Sequence, residues 1–188
     1  MSSFRWLVSS LPPTLPRLMA CCSGWVSKNR TACVKLLKSL GAKHVSELDL
    51  SNANIDAETK LAIYQTLLGV ACREGDLDKT VRAIQGGADV HYGKYWDFDG
   101  TMGGEATAMH VAAANGKDKV MEYLIREGGS KVDVPDTGEW GWTPCDWACW
   151  QGNPNAIAIL LALGADVNRV DRTFGATPCM RAARRGRG

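Results

Sequence analysis

The sequence predicts an all-α solenoid of stacked helix-turn-helix hairpins, and three observations carry that prediction. A Thr is followed nine residues later by a Gly four times, at Thr66–Gly75, Thr107–Gly116, Thr143–Gly152 and Thr177–Gly186. The Thr-to-Thr steps are 41, 36 and 34 residues, and self-similarity at a period of about 33 residues is the mark of a repeat architecture. Each complete unit also holds two stretches of apolar residues at helical spacing, split by Gly plus a polar residue. Small pairs (Ala71-Cys72, Ala112-Ala113, Ala148-Cys149, Ala182-Ala183) recur where two helices must approach closely. A single helical hairpin cannot bury its apolar stripe, so neighbours must stack and share one core.

Taken from the N-terminus, residues 1–30 read as a disordered basic leader. The first 22 residues are Ser-rich and acid-free, with Arg5 and Arg17; an organellar transit peptide and a start at Met19 remain alternatives. Pro12, Pro13 and Pro16 break its apolar stretch too often for a membrane span. Residues 31–56 read as a degenerate half unit, an N-terminal cap and a linker. Val34, Leu36, Leu37 and Leu40 precede Gly41-Ala42 as a second helix and its close would, with Lys35, Lys38 and Lys43 solvated. The stretch ELDLSNANI resembles one leucine-rich strand, but a single copy has nothing to stack on and is read as a turn. Asp56 is the expected N-cap of a helix running through Ile63 and Leu67.

Thr143-Pro144 and Thr177-Pro178 have the form of an N-cap followed by Pro in the first turn. In the second stretch of the third unit, Ile157, Ala158, Leu160 and Leu161 fall at helical spacing. Gly164 then stops the helix, because Gly takes the left-handed backbone without a steric penalty. The last unit is a half unit, with Arg181, Arg184, Arg185 and Arg187 expected on or near its exposed side. It is read either as a polar cap or as the edge of a longer array.

These residues resemble the ankyrin repeat, whose pattern is Thr-Pro-Leu-His-Leu-Ala-Ala, then Gly, then Gly-Ala-Asp-Val-Asn. The third unit matches best, through Thr143, Pro144, Ala148, Gly152, Leu160, Leu161, Gly164, Ala165, Asp166, Val167 and Asn168. The second keeps Thr107, His110, Ala112, Ala113 and Gly116, and alone has the His. The first keeps Ala71, Gly75, Gly87, Ala88, Asp89 and Val90, with Leu67 for Pro and Gly69 for His. The resemblance implies repeats at 57–91, 105–134 and 139–168, a half repeat at 173–188, and short β-type finger loops between them. It implies a non-catalytic protein-binding module, with His110 as a structural hydrogen-bonder between loops.

No catalytic constellation, Gly-rich phosphate loop or metal set is visible, and no cofactor is expected. Seven cysteines include no Cys-x-x-Cys pair. Cys72, Cys145, Cys149 and Cys179 are assigned to buried core as small hydrophobes, which points to a reducing, cytoplasmic setting. Cys145 and Cys149 share a helix face, but no His or acid pair completes a metal site. Asp97 and Asp99 are at most a fragment of a calcium loop. Residues 1–46 hold seven basic residues and no acid, whereas 47–188 hold 15 basic against 20 acidic residues, a net −5. Nucleic-acid binding through the basic termini stays open as an alternative, although the body is acidic and no groove-reading motif appears. A third reading is a fragment of a larger protein whose remainder carries an enzyme or membrane domain.

Function on such a scaffold lies in variable positions. By position, the resemblance implies contacts from the finger before Thr and from the two residues before the helix-ending Gly. These are Glu139, Trp140, Trp142, Trp150 and Gln151 in repeat three, Ala114 and Asn115 in repeat two, Arg73 and Glu74 in repeat one, and Phe174, Arg184 and Arg185 in the half repeat. Exposed Trp is enriched at interface hot spots, so Trp140, Trp142 and Trp150 are expected to face outward, while Trp147 takes the core Leu position. The excess loop at 91–104 carries Tyr92, Tyr95, Trp96 and Phe98, and loops of this length are often functional. A protein partner is expected, bound by a monomer.

Overall fold

The computed structural model describes residues 57–93 and 106–186. The expected leader, the 31–56 half unit and the loop residues Tyr95, Trp96, Asp97, Phe98 and Asp99 lie outside the described residues.

Seven helices follow in order: α1 (Ala57–Glu74), α2 (Leu77–Gln85), α3 (Ala108–Ala114), α4 (Asp118–Arg126), α5 (Pro144–Gln151), α6 (Pro154–Ala162) and α7 (Pro178–Arg184). They form the all-α ankyrin solenoid. One row is α1, α3, α5 and α7, each packed on the next; α2, α4 and α6 form the second row, each paired with the helix before it. Among the described residues there is no β-strand. The fingers are hairpin turns, closed by single bonds from Asp136 N–H to the Trp142 carbonyl (2.7 Å) and from Asp171 N–H to the Ala176 carbonyl (3.0 Å).

Local chemistry accounts for the element ends. Thr143 is the N-cap of α5 with Pro144 in its first turn, and Thr177 caps α7 in the same way. The side chains accept the N–H of Asp146 and Met180, each satisfying a donor that the first turn leaves without a partner. At the other end, all four repeat glycines (75, 116, 152 and 186) hold φ between 60° and 83°, a backbone any Cβ would strain. Repeat one departs from the scheme. Thr66 sits inside the 18-residue α1 and its hydroxyl donates to the Ala62 carbonyl four residues back. Gln65 anchors that helix to its own repeat by exchanging hydrogen bonds with the N–H and carbonyl of Asp89 (2.9 and 2.8 Å).

One apolar core runs through the stack from Leu67 and Leu68 to Ala156 and Leu160. Ala71, Cys72, Ala112, Ala113 and Ala148 are fully covered, because the rows touch along them. Cys145 and Cys149 are buried as well, but Cys179 is exposed, contrary to expectation. Its side of α7 carries no following helix among the described residues. No helix of the described residues is long and apolar enough to cross a membrane.

Candidate functional site

The row α3–α5–α7 meets the fingers in a cluster of aromatic and ionic side chains. Its first member is His110, wholly buried at the start of α3. Nδ1 accepts from the Thr107 N–H (3.2 Å) and lies 2.8 Å from the Thr107 hydroxyl, which places the ring proton on Nε2. Nε2 then donates to the Trp142 carbonyl in the next finger (2.9 Å). Burial depresses the imidazole from 6.5 to about 4, against the opposing effect of its backbone hydrogen bonds to Trp142 and Val134. His110 is therefore a neutral tie between two repeats, the role the resemblance implied.

In repeat three the same helix position is Asp146. One carboxylate oxygen accepts the Thr143 N–H and hydroxyl (2.9 Å each), completing a capping box. The other accepts Arg181 Nε at 2.8 Å. Arg181 also pairs through Nη2 with Asp171 of its own finger, and its guanidinium carbon lies 3.9 Å above the Trp142 ring. Only 2% of Arg181 is exposed. The expectation that it stands on the outer side is corrected: two carboxylates and an indole face pull the cation inward. Burial alone would raise the Asp171 carboxyl, but the Phe174 and Thr173 N–H groups and then Arg181 outweigh it and hold it below the usual range. In the preceding finger, burial dominates at Asp136 and raises it, although Trp147 Nε1 (3.0 Å), the Trp142 N–H (3.1 Å) and the Gly138 N–H (3.2 Å) all donate to it.

Trp142 is 3% exposed, so its expected outward position is corrected too. In the two fingers that are described, the residue directly before the Thr (Trp142, Ala176) is buried, because its carbonyl closes the finger and its side chain turns beneath. Trp142 stacks on Trp140 (centroids 5.0 Å apart) and tilts against Trp150 (5.4 Å). Trp147 meets it edge-on at 6.4 Å and is buried as expected. Trp140 and Trp150 are half-buried, and the exposed Arg185 lies 4.1 Å over the Trp150 ring.

The other expected contact residues divide. Glu139, Phe174 and Arg184 are exposed, and Gln151 is half-buried. Asn115 is half-buried, with its amide donating to the Val111 carbonyl of its own helix (2.6 Å). Ala114 is buried at 6% exposure and belongs to the core, a correction that follows from a methyl side chain lying beneath the packed α3–α5 pair. Tyr92 packs against the core. Burial pushes the Cys72 thiol up to about 12, and hydrogen bonding with Cys149 followed by burial raises Cys145; neither is a poised nucleophile. Among the described residues no group of three or more His, Cys, Asp or Glu could hold a metal ion.

A row of short capped helices, closed by left-handed glycines and joined by finger turns, defines a repeat scaffold. The chain belongs to the ankyrin-repeat family: a model of ankyrin repeats in three copies matches residues 67–171. It is 30% identical over 94 residues to protein phosphatase 1 regulatory subunit 27 of Mus musculus, a match covering 50% of this chain and 54% of that one. It is 37% identical over 71 residues to palmitoyltransferase Hip14 of Drosophila melanogaster, covering 38% of this chain and 11% of the enzyme. A third relative is the 26S proteasome non-ATPase regulatory subunit 10 of Dictyostelium discoideum, 37% identical over 62 residues, or 33% and 26% of the two chains. The matched segments thus span about half or less of each relative. Ankyrin repeats imply a protein-protein interaction module and are generally non-catalytic.

Proposed function

We propose that the chain holds a partner protein on the finger and helix-end surface formed by Glu139, Trp140, Trp150 and Gln151, flanked by Phe174 and Arg184. The observation that carries this reading is the indole stack. Trp140 and Trp150 each keep part of their surface open while both rest on the buried Trp142, which Arg181 covers in turn, and Arg185 lies over Trp150. Rigid, partly exposed aromatics lose little entropy on binding and favour hot spots. The free thiols Cys72, Cys145 and Cys149 suit a reducing compartment, and a cytoplasmic setting is part of the proposal.

The test is a Trp140→Ala, Trp150→Ala double variant assayed for partner capture alongside helical circular dichroism. Capture should be lost with the helical signal and cooperative melting retained. A double variant that unfolds would show the pair to be structural, and one that still captures the partner would sink the proposal. A second reading, in which the array is the recruiting part of a longer protein, is supported by the 11% share of the palmitoyltransferase that it matches. A full-length transcript ending at Gly188 would exclude it. The nucleic-acid alternative is weakened by Arg181, whose charge is committed to Asp146 and Asp171.

A further inference from the structure

Two guanidiniums lie directly on the finger and helix end of repeat three. The Arg172 N–H donates to the Trp140 carbonyl (3.0 Å), and its side chain runs over Gly141, where a Cβ would come within 2.8 Å of Arg172 Nε. Only Gly leaves room for that approach. At the other end Arg185 lies 4.1 Å over the Trp150 ring. The indoles between them are continuous, Trp140 on Trp142 at 5.0 Å and Trp142 against Trp150 at 5.4 Å. One surface therefore runs from Arg172 across Trp140 and Trp150 to Arg185, joined by contact at each step.

That surface is rich in donors and short of acceptors. Arg172 and Arg185 are exposed, and neither has a carboxylate partner among the described residues, because Asp146 and Asp171 are taken by Arg181. The indole N–H groups of Trp142 and Trp150 are covered and meet no hydrogen-bond acceptor among the described residues. Covered donors without acceptors are costly and call for a partner. Against these groups stands one exposed carboxylate, Glu139. The positive patch is local, since residues 57–168 carry nine basic and 16 acidic residues, a net −7.

We infer, resting on the binding surface proposed above, that the partner segment it holds is acidic, with a large apolar side chain between carboxylates. The apolar side chain lies on the half-open faces of Trp140 and Trp150, and the carboxylates pair with Arg172 and Arg185. A guanidinium fork matches a carboxylate in bidentate geometry, and the indoles supply anchoring area. A basic segment would set like charges against both arginines. A nucleic acid would offer phosphates to the same groups, but its continuous charge would run on over the acidic body. A short acidic segment responds chiefly to charges within a Debye length, about 8 Å at physiological salt.

The probe is a labelled 12-residue peptide with one Phe flanked by Glu residues, titrated into the full chain by fluorescence anisotropy. Twin peptides carry Gln or Lys in place of every Glu. The Glu peptide should bind about tenfold tighter than the Gln twin, with the gap closing as salt is raised. The Lys twin should not bind. Arg172→Gln/Arg185→Gln should weaken the Glu peptide by about tenfold and leave the Gln twin unchanged, with circular dichroism unchanged since both side chains are exposed. Trp140→Ala/Trp150→Ala should lose both peptides. Equal binding of the Glu and Gln peptides, lost in the tryptophan variant, would overturn the acidic preference while the binding surface stands. Peptide binding that survives the tryptophan variant would remove the surface itself. No binding of the Glu peptide would overturn the inference. So would tighter binding of a single-stranded oligonucleotide, or self-association abolished by the arginine variant, which would assign the arginines to a nucleic acid or to a second copy.

Discussion

The two junctions on either side of α5 solve one problem with different chemistry. Between repeats two and three, His110 reaches from a capped helix to the Trp142 carbonyl, a neutral side chain serving a neutral acceptor. Between repeat three and the half repeat, the equivalent Asp146 takes Arg181, which Asp171 grips from the far side. A neutral tie forfeits about 1–3 kcal/mol when broken, because one buried polar group loses its partner. An ionic tie forfeits more, because a buried charge is left uncompensated. The ionic junction is therefore the more brittle of the two, though not the more stabilising.

Breaking it is expected to have the largest effect. Arg181→Met should cost about 3–5 kcal/mol in urea denaturation, since Asp146 and Asp171 stay behind in a covered site. An Arg181→Met chain within 1 kcal/mol of the parent would show that water already reaches the pair. His110→Ala should cost about 2–3 kcal/mol, from the lost cap and the orphaned Trp142 carbonyl. A loss as large as that of Arg181→Met would erase the distinction between the junctions.

Acid sharpens the comparison further. Above about 6.5 the His110 imidazole is neutral in folded and unfolded chains alike. Between 6.5 and about 4 only the unfolded chain takes the proton, so stability falls as pH falls, by at most about 1.4 kcal/mol per pH unit. His110→Gln should flatten that slope in equilibrium unfolding measured from pH 7 to pH 4. The depressed Asp171 acts later in the same direction, its contribution being lost as pH falls through its folded value. Asp136, raised by burial, works the opposite way, because its folded form binds a proton more readily than the unfolded one. The smallest effect belongs to Arg185→Ala. It removes an exposed cation over Trp150 and should cost about 0.5–1 kcal/mol, with a shift in indole emission as the sensitive readout.

The spacing of Thr and Gly was enough to read the helix caps and the left-handed stops, and the resemblance to the ankyrin pattern supplied the roles of His110 and Trp147. Each depends on backbone chemistry within a few residues or on a position that the repeat itself defines. Arg181 was misread because its burial rests on Asp146, 35 residues earlier, and Asp171, ten residues earlier. No local pattern announces such a pairing. A cue did exist: Arg181 occupies the same place after Thr as the core residues Val111 and Trp147. Trp142 was misread because composition marks Trp as an interface residue, whereas its place directly before the Thr decides that it turns inward. Cys179 and Ala114 failed for opposite reasons, the first exposed on α7, over which no further helix of the described residues packs, the second drawn into the common core.

The Arg181 bridge also constrains the order in which such a junction can be assembled by substitution. Asp146 has its own employment capping α5 through Thr143, and Asp171 turns its finger by accepting the Thr173 and Phe174 N–H groups. Each carboxylate therefore keeps donors of its own when the arginine is absent, which lessens but does not remove the cost of leaving it unpaired. An arginine without the acids would have no counter-charge in that covered slot, so of two destabilising orders the one with the acids first is the milder.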